Sequence, residues 1–164
     1  MKYFIFILLI NSCVHLNENQ DQKSIAKNFA YDLYFTEKTY DIVLEEYTVL
    51  TKDEITKGGD YLKQIFNMYR ESSKDKTVRD KDDLKVEKYE VKKHKDIVHY
   101  DMDLNYDYYI YFIEDEPLGT VIFNKKNKIV SFFPEIHKPK TKAIKAAFLI
   151  DIVNSYQGFL EKQK

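Results

Sequence analysis

Residues 108–133, YYIYFIEDEPLGTVIFNKKNKIVSFF, decide the fold. Tyr108 to Ile113 is continuously apolar at strand length, the pattern of a strand covered on both faces. Asp115-Glu116-Pro117 with Gly119 then turns the chain. Thr120 to Phe123 and Ile129 to Phe133 flank Asn124-Lys125-Lys126-Asn127-Lys128, a polar run between two apolar ones and therefore a hairpin signal.

Upstream the period is also two. Leu84 and Val86 alternate with charges, and the phase then shifts to Tyr89 and Val91, which predicts a bulge near Lys88. Val98, Tyr100, Met102 and Leu104 point one way, and His99, Asp101, Asp103 and Asn105 the other. Asn105 to Asp107 reads as a turn, and His94 as an exposed strand-end residue. Before the strands, residues 72–83 (SSKDKTVRDKDD) carry charge of both signs and almost no apolar content, as an exposed loop does.

The N-terminal third has helical periodicity. Residues 24–35 place Ile25, Phe29 and Leu33 on one face, with Ser24 as the cap. Residues 37–50 place Tyr40, Val43, Leu44, Tyr47 and Leu50 at i, i+3, i+4, i+7 and i+10. Thr51-Lys52-Asp53-Glu54 is a capping box, so a third helix starts there. Gly58-Gly59 interrupts it before Leu62, Ile65, Phe66 and Tyr69 resume the stripe. Residues 140–161 read as a last helix, striped by Ile144, Phe148, Ile152, Tyr156 and Phe159. Its apolar face is broad enough to predict full burial. Ile65, Phe66, Phe112, Phe148 and Ile152 are expected in the core.

Helices followed by a run of strands make an α+β layer fold: N-terminal helices, an antiparallel curved sheet of about five strands, and a C-terminal helix. The opening AKNFAYDLYFTEKTYDIVLEEY and the order of elements over residues 24–134 resemble the nuclear transport factor 2-like (cystatin-like cone) superfamily. The resemblance implies a curved sheet around a pocket, in which catalytic members place an Asp or His. It assigns no such role to a named residue here, and the long C-terminal helix departs from the simplest form of that fold.

The first residues state an address. Lys2 precedes an apolar run, Tyr3 to Ile10, too short for the roughly 20 residues of a membrane-spanning helix. Ile10-Asn11-Ser12-Cys13 resembles the lipobox of bacterial lipoproteins. That resemblance implies a signal peptide at 1–12, a diacylglycerol thioether on Cys13, and a protein anchored to a membrane of the bacterial cell envelope. Residues 13–23 then form the lipidated cysteine and a flexible tether, and 24–164 a single domain. An ordinary secretory signal with an incidental cysteine, or a buried N-terminal strand, is the competing reading. Cys13 is the only cysteine, so no intrachain disulfide forms and the domain relies on its core.

Composition narrows the partners. The 164 residues carry a net charge of −1, which becomes −2 once Lys2 is removed, so nucleic acid is not expected as a partner. Hydrophobic residues at 44% and charged residues at 32% place the chain among globular proteins.

Candidate chemistry is sparse. His99, Asp101 and Asp103 share one strand face and could bind a cation or pair an acid with a base. The same alternation describes a solvated strand face, which is the favoured reading, because metal sites draw ligands from several elements. Tyr100, Tyr106, Tyr108, Tyr109 and Tyr111 form an aromatic cluster. Tyr108 and Tyr111 are candidate lining residues of an apolar pocket, against the alternative that they are sheet core. His137, Lys138, Lys140 and Lys142 stand at the start of the last helix, a place that suits an anion, although a solvated basic loop is the favoured reading. No phosphate loop, zinc-finger spacing or nucleophile elbow is present, and no cofactor or metal is implied. The leading expectation is a non-catalytic binding or accessory lipoprotein for a small apolar ligand or a protein partner. An envelope immunity-type protein that neutralises a toxin ranks second, and a small cone-fold enzyme last.

Overall fold

The computed structural model describes residues 22–97, 99–101, 105–133 and 144–162. Residues 1–21, with the lipobox and Cys13, lie outside that range, as do Asp103 and the basic residues His137, Lys138, Lys140 and Lys142.

The fold is α+β. Four strands, β1 (Leu84–Lys88), β3 (Tyr106–Ile113), β4 (Glu116–Asn124) and β5 (Ile129–Phe133), form one antiparallel sheet in the order β1-β3-β4-β5. The segment expected to supply a fifth strand contributes only β2 (Tyr100–Asp101), which pairs in parallel with β6 (Ile144–Lys145) as a separate ribbon.

The strand β3 is apolar on both faces because both are covered. Tyr109, Tyr111 and Ile113 face one buried cluster, and Tyr108 and Ile110 the other. Its turn into β4 is tighter than expected. Ile113 pairs with Glu116, Glu114 adopts φ 52°, and Pro117 and Gly119 fall inside β4. The bulges lie in β3–β4 and β4–β5, not near Lys88. There β1 simply stops, and Val91 stands 61% exposed in a turn. The Asn124–Lys128 hairpin forms as expected, with the Asn124 side chain accepting from the N–H groups of Lys126 and Lys128.

One face of the sheet carries α1 (residues 22–35), α2 (Tyr40–Tyr47) and α3 (Lys52–Ser72). Phe29, Leu33, Val43, Leu44, Leu62 and Phe66 are all buried there. The capping box is made. Thr51 Oγ1 accepts from Glu54 N at 3.3 Å, and Glu54 Oε2 accepts from Thr51 N at 2.8 Å. Gly59 breaks the helical path at φ 36°, ψ −123°, and α3 continues beyond the kink. Arg70 closes the end of α1 by donating to the carbonyls of Leu33, Asp32 and Lys38, with its guanidinium over the Phe66 ring.

Two boundaries differ from expectation. The helix α1 already includes Gln22 and Lys23, so Ser24 lies within it and caps nothing. Gln22 is 4% exposed. Its amide donates to Asn127 Oδ1 and Asp107 Oδ2, and its carbonyl accepts from the Tyr109 hydroxyl. The last helix, α4 (Leu149–Glu161), starts nine residues later than 140, with Phe148 at its N-cap. Ile144 lies in the strand β6 and not in a helix, and the Ser131 hydroxyl donates to the carbonyl of Ala147 just before α4 begins.

Among the described residues, the second face carries the thinner layer. It buries Ile97, Tyr100, Tyr108, Ile110, Ile122 and Val130 and half-buries Phe112 and Phe148, the latter against Tyr106 at 5.1 Å. Of the five expected core residues, only Phe66 is fully buried. Phe112 and Phe148 sit in this thin layer, and Ile65 and Ile152 border a surface groove.

Candidate functional site

The broad apolar face of α4 is not fully covered. Leu149 and Val153 turn into the core, whereas Ile152 and Tyr156 are half-buried and Phe159 is 55% exposed. The reason is geometric. An apolar stripe spanning 149, 152, 153, 156 and 159 is wider than the single helix, α3, on which α4 packs. The surplus side of the stripe meets Tyr61 of α3, which stacks on Tyr156 at 5.1 Å and 15°.

Tyr61, Ala147, Asp151, Ile152, Ser155, Tyr156 and Phe159 thus line a groove of about 500 Å³. A narrower crevice of about 180 Å³ shares Ile152 and runs past Ile65, Met68 and Phe133. Met68, 64% exposed, extends the apolar strip along α3. The carboxylate of Asp151 and the hydroxyls of Ser155, Tyr61 and Tyr156 are the polar side-chain groups in the groove lining. Gln157 ties α4 to α3 by donating to the carbonyl of Lys57. Volume and lining match those of small-molecule pockets, which run to roughly 300–1,000 Å³ with few polar groups.

The residues singled out from sequence are not brought together. His99 and Asp101 are exposed, with Tyr100 buried between them, so the alternation at 99–101 is that of a solvated face. The His99 ring stacks on Tyr89. Tyr108 and Tyr111 do not line one pocket: three residues apart on β3, they lie on opposite faces of the sheet. Tyr111 is fully buried and donates to the carbonyl of Thr120. Tyr108 stacks on Tyr89 at 4.5 Å in the thin layer. Burial pushes both phenols above the ordinary tyrosine range, so neither is primed as an acid or base.

His94 is buried, not exposed. Its Nδ1 accepts from the backbone N–H of Glu90 at 2.9 Å, which leaves the ring proton on Nε2, 3.0 Å from the Glu87 carboxylate. Both nitrogens are engaged in holding the 89–97 turn, so the pair is a structural tie and not a poised base. The Glu87 carboxyl is held down to about 2, first by Lys93, then by His94 against the effect of burial, with Lys85 adding to the shift. Among the described residues, no group of three His, Cys, Asp or Glu side chains is placed to hold a metal ion.

Comparison with known proteins finds no matching family model, curated protein or solved structure.

Proposed function

We propose that this chain is a lipid-anchored protein of the bacterial cell envelope whose domain is a non-catalytic binding module. It takes a small apolar ligand in the α3–α4 groove and is tethered through Cys13. The observation that carries the reading is the groove itself: Tyr61 of α3 and Phe159 of α4 are exposed, and Ile152 and Tyr156 of α4 are only half-buried, although Leu149 and Val153 of the same helix are buried. The Cys13 anchor is supported by the lipobox sequence alone.

Titration with the neutral fluorophore N-phenyl-1-naphthylamine tests the groove. Saturable binding with one site per chain is expected, and Phe159→Glu and Ile152→Asp should each weaken it at least tenfold. Ile42→Glu, which alters an equally exposed apolar residue on α2, should leave it unchanged. Non-saturable uptake, or equal loss in all three variants, would contradict a ligand groove.

A further inference from the structure

We propose that the surface around Gln22 docks on anionic lipid headgroups and sets the orientation of the domain on its membrane. The identification of a membrane as the partner rests on the lipid-anchor reading above. The surface itself rests on side-chain positions.

Gln22 is where the segment after Cys13 enters the fold. Eight residues, 14–21, separate the two, a span of no more than about 30 Å. The face carrying Gln22 is therefore kept near the headgroups. Around it, two carboxylates, Asp107 and Glu87, are sunken beneath more exposed lysines, while Glu90 and Asp115 are exposed acids at its margin. Asp107, 15% exposed, is shared by Lys88 at 2.5 Å and Lys125 at 3.5 Å, both about half-exposed, and by the Gln22 amide. Burial alone would raise the Asp107 carboxyl, but Lys88 and Lys125 hold it below its ordinary value, so it stays charged beneath its lysines.

Glu87, 16% exposed, is likewise shared by Lys85 and Lys93, each 56% exposed. Each sunken acid thus holds two lysines. Glu87 and Asp107 lie on opposite faces of the sheet, and a recess at the β1 edge, lined by Lys23, Glu87, Lys88, Glu90 and Lys93, joins the two groups. Next to Gln22's partner Asn127, the hairpin adds Lys126 and Lys128, both exposed.

This cationic surplus stands out because the chain as a whole is slightly acidic. At a membrane surface each such lysine is attracted within about a Debye length, an interaction that salt weakens.

The test uses the mature form, residues 13–164, carrying Cys13→Ser so that no lipid contributes. Vesicles of phosphatidylcholine alone are compared with vesicles containing 30% phosphatidylglycerol. Binding is expected only to the anionic vesicles, and to fall steeply between 50 and 300 mM NaCl. Lys23→Gln/Lys125→Gln/Lys126→Gln should bind roughly 100-fold more weakly. Lys126→Gln, a side chain with no ion pair among the described residues, should lose about fivefold and covers the case in which the triple variant misfolds. Lys57→Gln/Lys63→Gln on α3 should bind like the parent. No binding, equal binding to neutral vesicles, or equal loss in the α3 variant would overturn the proposal. None of these outcomes depends on whether Cys13 is acylated, so failure here is distinct from failure of the anchor.

Discussion

The hydroxyl of Tyr34 is buried with no hydrogen-bond partner among the described residues, in a ring cluster with Tyr69 and Tyr111. A buried hydroxyl without a partner costs stability. Tyr34→Phe should therefore be neutral or stabilise by up to about 1 kcal/mol in urea denaturation. Tyr47→Phe is the opposite case. Its hydroxyl donates to the buried Asp32 carboxylate at 2.6 Å, and its loss should cost about 1–3 kcal/mol. Gly119 is required by close approach. A Cβ there would lie 2.7 Å from the Tyr111 ring and 2.8 Å from the Tyr34 hydroxyl. Glu87 brings a pH dependence. Its carboxyl titrates near 2 when folded and near 4.5 otherwise, so its contribution is complete above about 4.5 and is lost as the pH falls towards 2. Glu87→Gln should flatten the acid limb of a stability–pH curve over that window.

The helices show which features were legible and which were not. Phe29, Leu33, Val43, Leu44, Leu62 and Phe66 were readable because a helical period needs only local sequence. The Thr51–Glu54 box was readable for the same reason. The start of α4 was not. Ile144 and Phe148 are spaced i, i+4, which suits a helix as well as an extended segment. The choice is made by pairing with Tyr100–Asp101, more than forty residues away. His94 sits among Lys92, Lys93, Lys95 and Asp96 and looks solvated, yet the turn returns its ring to Glu87 and Tyr89.

The opposite facing of Tyr108 and Tyr111 was available from their odd spacing on a strand. The groove had a signal too, an apolar stripe on α4 too wide for one partner helix. Gln22 and Arg70 had none, since a polar residue at a helix end gives no hint of distant carbonyls or amides.

Two glycines separate backbone geometry from propensity. Gly59→Ala has open space for its Cβ but must hold φ +36°, so it should cost about 1–3 kcal/mol. Gly158→Ala, inside α4 and also unobstructed, should stabilise by about 1 kcal/mol. Thermal denaturation of the pair checks both signs.

At the scale of the whole molecule, the thick and thin faces of the sheet divide the work. Helices on the thick face bury Phe66, whose truncation to Ala should cost about 3–5 kcal/mol. Phe148→Ala on the thin, half-open layer should cost less. The groove lies between α3 and α4, while the lysine-rich surface lies where α1 begins, so the proposed ligand site and the proposed membrane face share no residues. No helix among the described residues is long and apolar enough to cross a membrane. In the proposed reading the lipid on Cys13 holds the protein at the membrane and the lysines orient it. The most direct test is the intact mass of the protein isolated from bacterial membranes, with its N-terminal peptide sequenced. The account predicts a chain beginning at Cys13 that carries a diacylglycerol thioether, and a Cys13→Ser protein that is folded but released from the membrane fraction by a wash at about 300 mM NaCl, which screens the lysines but leaves a lipid anchor in place. An unmodified Cys13 in a chain that still retains residues 1–12, or equal membrane partitioning of Cys13→Ser and parent, would contradict it.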